Sequence, residues 1–599
     1  MNTLINLHSL VDVPQESLII PLQDQVDVLN RMKKGVSDSL DNEGNYIPSG
    51  FPPNQYQINF YEHLIGTNLN LGLDAKAGTG KTTTIESAIR LIRVEKGKKA
   101  LFLAFNHSIA SELKSRFAEK GYNVDVATVH SKGYQAVRNA MDKKASEQGL
   151  SASQRRELKS LKVDGSYFKM YIRTNLQTQY EDGDNIKYTY DEINEKFSHI
   201  EKFDALQYVN TIVRLGDLGR MFLTSKEEGL TLLSDKYSLD LQADEIQQAA
   251  KFLKNYTLEF FSFIPEINGE KQSIDFTDMI WLPNVGAITQ NWTFQQYDYV
   301  FVDEAQDLSN AQRTLVTKFV KNSGRLIFVG DPNQAIYGFA GADSTSFEKL
   351  TKLPNVKILP LNLCYRCGED IIKLAQKYVP SIESHSCTGK GEVIYGGLIE
   401  MLKEGDIVIS RLTSPLVSLC LFLIRNRIQA TVLGSNIGEN LISTVRMSKK
   451  KKVDELMEHL WDKYDRLILK LVRTNKADSE EEAMELPAAC ILEDTIETLQ
   501  AIASDHIKTT SSLSSEIRRI FSEEEAPITL MTAHRSKGLE ADRVFILDWE
   551  EHFPHPMAKT PDEKKQEANL QYVAITRAKK TLVFIETPEY WDEVTPPKL

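Results

Sequence analysis

Along the chain, short runs of apolar residues alternate with longer segments of helical periodicity. LNLGLDA, KKALFLAF, VDVATVH, YDYVFVDEA and GRLIFVGD read as strands in the first half, and GDIVISR, DRVFILD and KTLVFIET in the second. Nearly continuous apolar strands separated by helices predict parallel sheets buried on both faces. The expected fold class is therefore α/β with two parallel-sheet cores. Two segments depart from the alternation. Residues 140–265 and 443–525 are charged and helical in pattern, and are read as mainly α-helical insertions, one in each core. The first core is then assigned to 51–139 and 266–355, and the second to 356–442 and 526–599. Residues 1–50 end in the turn-rich SDSLDNEGNYIPSGFPP and form an extension to which the sequence gives no role.

Composition narrows the class. A chain of 599 residues with 41% hydrophobic content supports several cores. It holds no apolar run of membrane-spanning length and no basic start followed by an apolar stretch, so a cytoplasmic protein is expected. Net charge is −12, which weighs against a broadly nucleic-acid-binding surface but leaves a local basic groove possible. The run Lys449–Lys452 reads as a solvated helix face or, alternatively, a phosphate contact. The five cysteines are too sparse for a disulfide framework. Cys364 and Cys367 form a CxxC with Cys387 further on; a metal site lacks a fourth ligand at suitable spacing, and small residues in a core are the simpler reading.

The chemistry concentrates after the first strand. Ala75, Lys76, Ala77, Gly78, Thr79, Gly80, Lys81 and Thr82 form a P-loop with Ala in place of the first Gly. Glycines let backbone N–H groups surround phosphates at a helix start, Lys81 reaches the β/γ-phosphates, and the Thr82 hydroxyl suits Mg²⁺. The strand YDYVFV ends in Asp303-Glu304. Asp303 is placed to hold Mg²⁺ and Glu304 to orient and deprotonate an attacking water. A neighbouring Glu favours water over an alcohol as nucleophile, which disfavours a small-molecule kinase.

With these two motifs in place, the sequence resembles a superfamily 1A helicase of the UvrD/Rep/PcrA type. PNQYQ, AGTGKT, AFNHSIASEL, TVHSKGY, DFTDM, DEAQD, GDPNQAIYGFAGA, LCYRC, LMTAHRSKGLEADRVFIL and QYVAITRAKK follow in the family order over residues 54–580. Spellings such as LAFNHSIA, YGFAGA and YRC resemble the F-box helicase branch. The resemblance implies two RecA-like P-loop cores, ATP and Mg²⁺, and a motor that moves 3′ to 5′ along single-stranded DNA and opens duplex at single-strand/duplex junctions in replication, repair or recombination. It implies that Gln57 reads adenine, Tyr365 stacks on it, Gln334 senses the γ-phosphate, and Arg366 and Arg577 reach that phosphate, with Glu540 at the ribose. A cation fork of this kind is worth roughly 10³–10⁵ in rate.

Two positions depart from the family pattern. Thr83 stands where an Arg commonly covers adenine, and Asn569 where Arg is common in the last motif. For the strand, hydrogen-bonding groups alternating with aromatics are expected: Phe105, Asn106, Thr128, His130, Tyr337, Phe339, Thr532 and His534. Gln334, Tyr337 and Phe339 share one loop, which would couple phosphate loss to the grip on bases. Competing readings are an RNA motor, a translocase that strips proteins from DNA, and a nucleic-acid-gated ATPase switch acting with a protein partner. A monomer or weak oligomer is expected.

Overall fold

In the computed structural model the described residues are 14, 17–40, 46–48, 52–92, 97–158, 162–181, 184–187, 205–237, 239, 241–262, 273–338, 341–473, 477, 479–484, 486–503, 506–522, 526–556, 558–588, 590–591 and 594–598. The chain divides into two compact units. One comprises Met1–Asp74, Lys81–Pro332 and Tyr337–Pro360, and the other Ala75–Gly80, Asn333–Ile336 and Leu361–Leu599.

In the first unit, helices α1 (Gln23–Lys33) and α2 (Gln55–Gly66) precede strand β1 (Asn70–Ala75), helix α3 (Lys81–Ile92), β2 (Ala100–Ala104), α4 (His107–Glu119), β3 (Val124–Thr128) and α5 (Val129–Glu147). After the insertion helices α6 (Ala205–Phe222) and α7 (Ala243–Ser262) come α8 (Asp278–Thr289), β4 (Tyr297–Val302), β5 (Val320–Gly330) and β6 (Val356–Leu361). The strands form one RecA-like sheet in the order β6-β1-β5-β4-β2-β3. Its β1–β5, β5–β4, β4–β2 and β2–β3 ladders are parallel, with Phe301 opposite Phe102 and Ile327. Every residue of β2 and β4 is buried. That is the burial expected of a strand covered on both faces, and it explains why these runs lack alternation.

The N-terminal extension is part of this unit. Val28, Leu29 and Met32 on α1 are buried, Lys33 pairs at 2.9 Å with the buried Glu62 of α2, and Leu18 bridges to Thr67. The segment 140–265 is helical with two short strand pairs, Lys162–Val163 with Ser273–Ile274 and Thr178–Glu181 with Asp184–Lys187. Its helices enclose an apolar cluster of their own, from Phe168 and Ile172 through Leu215 and Leu218 to Leu253 and Tyr256. Within it Arg220 is fully buried and donates to Asp275 (2.8 and 3.0 Å), Asp278 (2.7 Å) and Asp217, with Phe168 against its guanidinium. A buried charge is tolerated when it is paired, and three carboxylates surround this guanidinium. The network therefore ties α6 to the DFTDM segment at the start of α8.

In the second unit, β7 (Glu392–Ile394), β8 (Ile407–Ser410), β9 (Ala430–Leu433), β10 (Phe521–Ser522), β11 (Ile528–Thr532), β12 (Ala541–Leu547) and β13 (Ala578–Ile585) form a second RecA-like sheet, ordered β7-β13-β12-β8-β11-β9-β10 and parallel throughout. The helical segment between β9 and β10 carries α9 (Val453–Arg473), α10 (Pro487–Ile502) and α11 (Thr510–Ile520). Here the arrangement differs from that of the first insertion. Leu456, Leu460, Ile496, Leu499 and Ile517 belong to one apolar cluster with Val408 and Leu530 of the sheet. Helix α12 (Pro561–Ile575) follows, opened by Thr560, whose hydroxyl accepts from Glu563 N.

Candidate nucleotide and nucleic-acid sites

Strand β1 ends at Ala75 and the chain turns into α3 at Lys81. Gly78 and Gly80 take positive φ (68° and 77°), the left-handed region that glycine enters without penalty. A Cβ on Gly78 would also lie 2.8 Å from Cys364 Sγ and 2.7 Å from Arg366 Cβ, so this position excludes any side chain. Thr79 Oγ1 donates to Lys76 O (2.8 Å), Ala77 N donates to the Tyr572 hydroxyl (2.9 Å), and Tyr365 N donates to Gly78 O (2.8 Å). Thr82 is partly exposed and Thr83 exposed at the start of α3.

Beside Lys81, β4 delivers two carboxylates. Lys81 Nζ lies 3.1 Å from Glu304 Oε1 and 3.3 Å from Oε2. Glu304 is left-handed (φ 47°), a costly conformation for a residue with a Cβ, and its N–H donates to Asp303 Oδ1 at 2.9 Å. Gln306 holds both sides of the turn: its Nε2 donates to Glu304 Oε2 (2.6 Å) and its Oε1 accepts from Asp331 N (3.1 Å). A side chain at Gly330 would collide with that Oε1 at 2.3 Å. Burial lowers the Lys81 pKa, but Glu304, Asp331 and Asp303 outweigh it and the net shift is upward. Burial, then the Glu304 charge, pushes Asp303 up to about 7. Carboxylates outnumber the single lysine around this turn. That excess of buried negative charge, with an oxygen donor set, fits a hard divalent cation such as Mg²⁺.

Gln57 is buried at the start of α2. Its Oε1 accepts from Asn54 N (3.0 Å) and its Nε2 donates to Thr84 Oγ1 (2.9 Å). A carboxamide has two lone pairs and two N–H groups, and these two bonds use one of each.

In the second unit, Tyr365 stacks on His385 (4.6 Å between centroids, 30°). Arg366 Nε pairs with Glu540 at 2.5 Å, and Lys579 holds the other oxygen at 2.8 Å. In this state the Glu540 carboxylate serves two cations. Arg577 is buried and donates to Val573 O (2.8 Å), Leu539 O (3.2 Å) and Thr576 Oγ1 (3.1 Å). Burial first, then Arg366, lowers its pKa to about 10. Gln334 is buried in a single 3₁₀ turn. Cys364 and Cys367 are buried, Cys367 Sγ donates to Thr576 O (3.5 Å), and Cys387 is exposed. Among the described residues, no three His, Cys, Asp or Glu side chains are grouped to hold a metal ion, and no helix is long and apolar enough to cross a membrane.

The strand candidates divide into rings and caps. Phe105, 46% exposed, faces Tyr337 with ring centroids 6.4 Å apart and planes within 14°. Phe339 lies outside the described residues. Asn106 and Thr128 cap α4 and α5: their side-chain oxygens accept from Ile109 N (2.9 Å) and Ser131 N (3.2 Å). His130 is partly buried and its pKa is lowered by burial. Thr532 ends β11 half-buried. Burial, then Arg411, drives His534 down to about 3, so its imidazole is uncharged at neutral pH. The sequence reading missed one ring. Phe276 is 60% exposed between Asp275 and Asp278, both locked onto Arg220. The signal lay in DFTDM: an aromatic between two aspartates at a strand-to-helix turn.

Comparison with known families matches residues 54–355 to the UvrD/REP helicase N-terminal domain and residues 294–589 to the UvrD-like helicase C-terminal domain. Among curated proteins, the chain is 24% identical over 548 residues to F-box DNA helicase protein 1 of Schizosaccharomyces pombe, covering 86% of this chain and 55% of that protein. It is 22% identical over 635 residues to ATP-dependent DNA helicase PcrA of Staphylococcus epidermidis, covering 85% and 80%. Over a shorter stretch of 117 residues, 18% of this chain and 15% of the relative, it is 36% identical to PcrA of Leuconostoc citreum. The chain thus spans little more than half the length of the Schizosaccharomyces relative and most of the Staphylococcus one.

Proposed function

Because the chain belongs to the UvrD/REP helicase family, we propose that it is an ATP-driven DNA helicase that moves 3′ to 5′ along single strands and opens duplex DNA at single-strand/duplex junctions, in the cytoplasm, during replication, repair or recombination. One observation carries this reading. A single unit places the Lys81–Glu304 pair and the Phe105–Tyr337 ring pair at the ends of strands of one sheet, so phosphate chemistry and base stacking share a rigid support.

In the proposed cycle the phosphates displace Glu304 from Lys81, which then neutralises them. Released from its ion pair, Glu304 accepts the proton of the attacking water. Thr82 and Asp303 would hold Mg²⁺, which supplies charge neutralisation at the phosphates when bound. Gln57 offers its remaining N–H and lone pair to adenine, and Tyr365 offers the ring face not covered by His385. Arg366 exchanges Glu540 for phosphate oxygen, Arg577 adds a second cation, and Glu540, once released, is open to ribose hydroxyls. Gln334 reads the γ-phosphate. Phe105, Tyr337, Phe276 and Phe339 stack on bases, while Asn106, Thr128, His130, Thr532 and His534 line the backbone path. The proposal includes the domain assignment made from the sequence: cores at 51–139 with 266–355 and at 356–442 with 526–599.

The test is Mg²⁺-ATP hydrolysis without polymer, with oligo-dT and with oligo-U, for the wild type, Lys81→Ala and Tyr337→Ala. Strong stimulation by oligo-dT, abolished in Lys81→Ala and largely lost in Tyr337→Ala, is expected, since each stacked base is worth about 1–3 kcal/mol. Hydrolysis indifferent to both polymers would overturn the motor, and preference for oligo-U would overturn the DNA assignment.

A further inference from the structure

The loop that leaves β5 is held in an unusual way. Its first residue is anchored where the strand ends, by Gln306 to Asp331 N. The next two carbonyls that follow the 3₁₀ turn are each taken by a side chain from far along the sequence. Lys537 Nζ donates to Gln334 O at 2.6 Å, and Asn569 Nδ2 donates to Ala335 O at 3.0 Å. Gln334, Ala335 and Asn569 are all buried, so these are not incidental surface contacts. A buried carbonyl is costly to leave without a donor, so both donors help hold this peptide in place.

Both donors sit on the elements that also orient Arg577. Asn569 lies on α12 about two helical turns before Arg577, whose Nε is bonded back to Val573 O on that helix. Lys537 lies in the turn after β11, closed by Ser536 N to Thr532 O and Leu539 N to Ser536 O; Leu539 O in turn accepts from Arg577. The same helix and turn therefore grip the arginine and the Gln334–Ala335 peptide. Asn569 also explains its own identity. Arg366 already depresses the Arg577 pKa, and a neutral amide at 569 supplies an N–H without adding a further cation nearby.

We infer that Lys537 and Asn569 are positioning residues that make the Gln334–Ala335 peptide move with Arg577, so that a change at the γ-phosphate is delivered to Tyr337 three residues after Gln334. This rests on the proposed motor. It adds that the link runs through two backbone carbonyls, not through the Gln334 side chain alone.

The experiment uses the full chain with Asn569→Asp, which replaces the donor by an acceptor of the same shape, Lys537→Met, which keeps the stem and removes the cation, and the conservative Lys537→Arg. Basal hydrolysis, hydrolysis saturated with oligo-dT, and oligo-dT affinity with ADP and with a non-hydrolysable ATP analogue are measured for each. Asn569→Asp and Lys537→Met are each expected to keep basal hydrolysis within about twofold and to lower the stimulation ratio at least about fivefold. The difference in oligo-dT affinity between the two nucleotide states should collapse, the double variant should be no worse than the worse single, and Lys537→Arg should restore most of the ratio. An unchanged ratio, or basal and stimulated rates falling by one common factor, overturns the inference. Lys537 is only partly buried, so its variants keep the test decisive if Asn569→Asp fails to fold. A wild type that oligo-dT does not stimulate overturns the motor itself, and this link with it; a stimulated wild type with ratio-preserving variants overturns the link alone.

Discussion

Glu304 and Asp548 each sit just past the end of a parallel strand, one in each sheet, and lead different lives. Each directly follows a buried parallel strand or its first acid, each is left-handed (φ 47° and 56°), and each is acidic. Asp548 is closed within its own fold: Thr587 donates to it twice, from N at 2.6 Å and Oγ1 at 2.7 Å, and His552 lies 3.7 Å away. Glu304 instead faces a lysine at the mouth of a P-loop, with Asp303 beside it and more negative charge than Lys81 balances. The lesson is that the fold position supplies only a strained, strand-end acid. Its neighbours set the difference: Thr587 encloses Asp548, whereas Glu304 is held by Lys81 and Gln306 beside the P-loop.

The comparison breaks most sharply at Glu304→Gln. The amide keeps the turn and the hydrogen bond with Gln306, but removes the proton acceptor, so hydrolysis should fall at least about 100-fold while Mg²⁺-ATP binding persists. Binding is read by equilibrium titration and turnover by phosphate release. Near-normal turnover would place Glu304 with Asp548 as an anchor.

Asp548→Ala should do the reverse. It orphans two Thr587 donors and should cost about 1–3 kcal/mol of stability in denaturant unfolding, with the hydrolysis rate of the folded fraction unchanged. The pH dependence has a definite sign. Burial raises the Asp548 pKa, but the neighbouring His552 and the hydrogen bonds from Thr587 outweigh it and the net shift is downward. Its stabilising contribution is therefore in place above an unfolded value of about 3.9 and fades as pH falls through the lower folded value. The gap between wild type and Asp548→Ala should narrow in that acidic window.

The smallest effect is expected for Asp548→Asn. Asn tolerates the left-handed region and keeps an oxygen for Thr587 N, so unfolding should shift by less than about 1 kcal/mol. A loss as large as that of the Ala variant would mean the charge, not the hydrogen-bond geometry, sustains the anchor.

Sequence made the chemistry legible where it demands fixed residue types at fixed spacing. The P-loop, the Asp303-Glu304 strand end and the apolar strands of both sheets could be read because burial and phosphate binding each leave few alternatives. What could not be read depends on partners distant in sequence. Nothing local announces that Glu540 is shared by Arg366 and Lys579, or that α1 buries Leu29 and Met32. Phe276 was hidden for the same reason: its presentation depends on Arg220, 56 residues upstream in the insertion.

The two insertions also differ in what they share, and that difference sets how the molecule comes apart. Helices α9, α10 and α11 contribute to the same apolar cluster as β8 and β11, whereas α6 and α7 close around a cluster of their own. Amide protons in α9–α11 should consequently exchange with those of the second sheet as one cooperative block, while α6 and α7 open as a separate block of different stability. An excision of residues 443–525 would strip the second sheet of half its interior, so this insertion cannot be treated as a removable module.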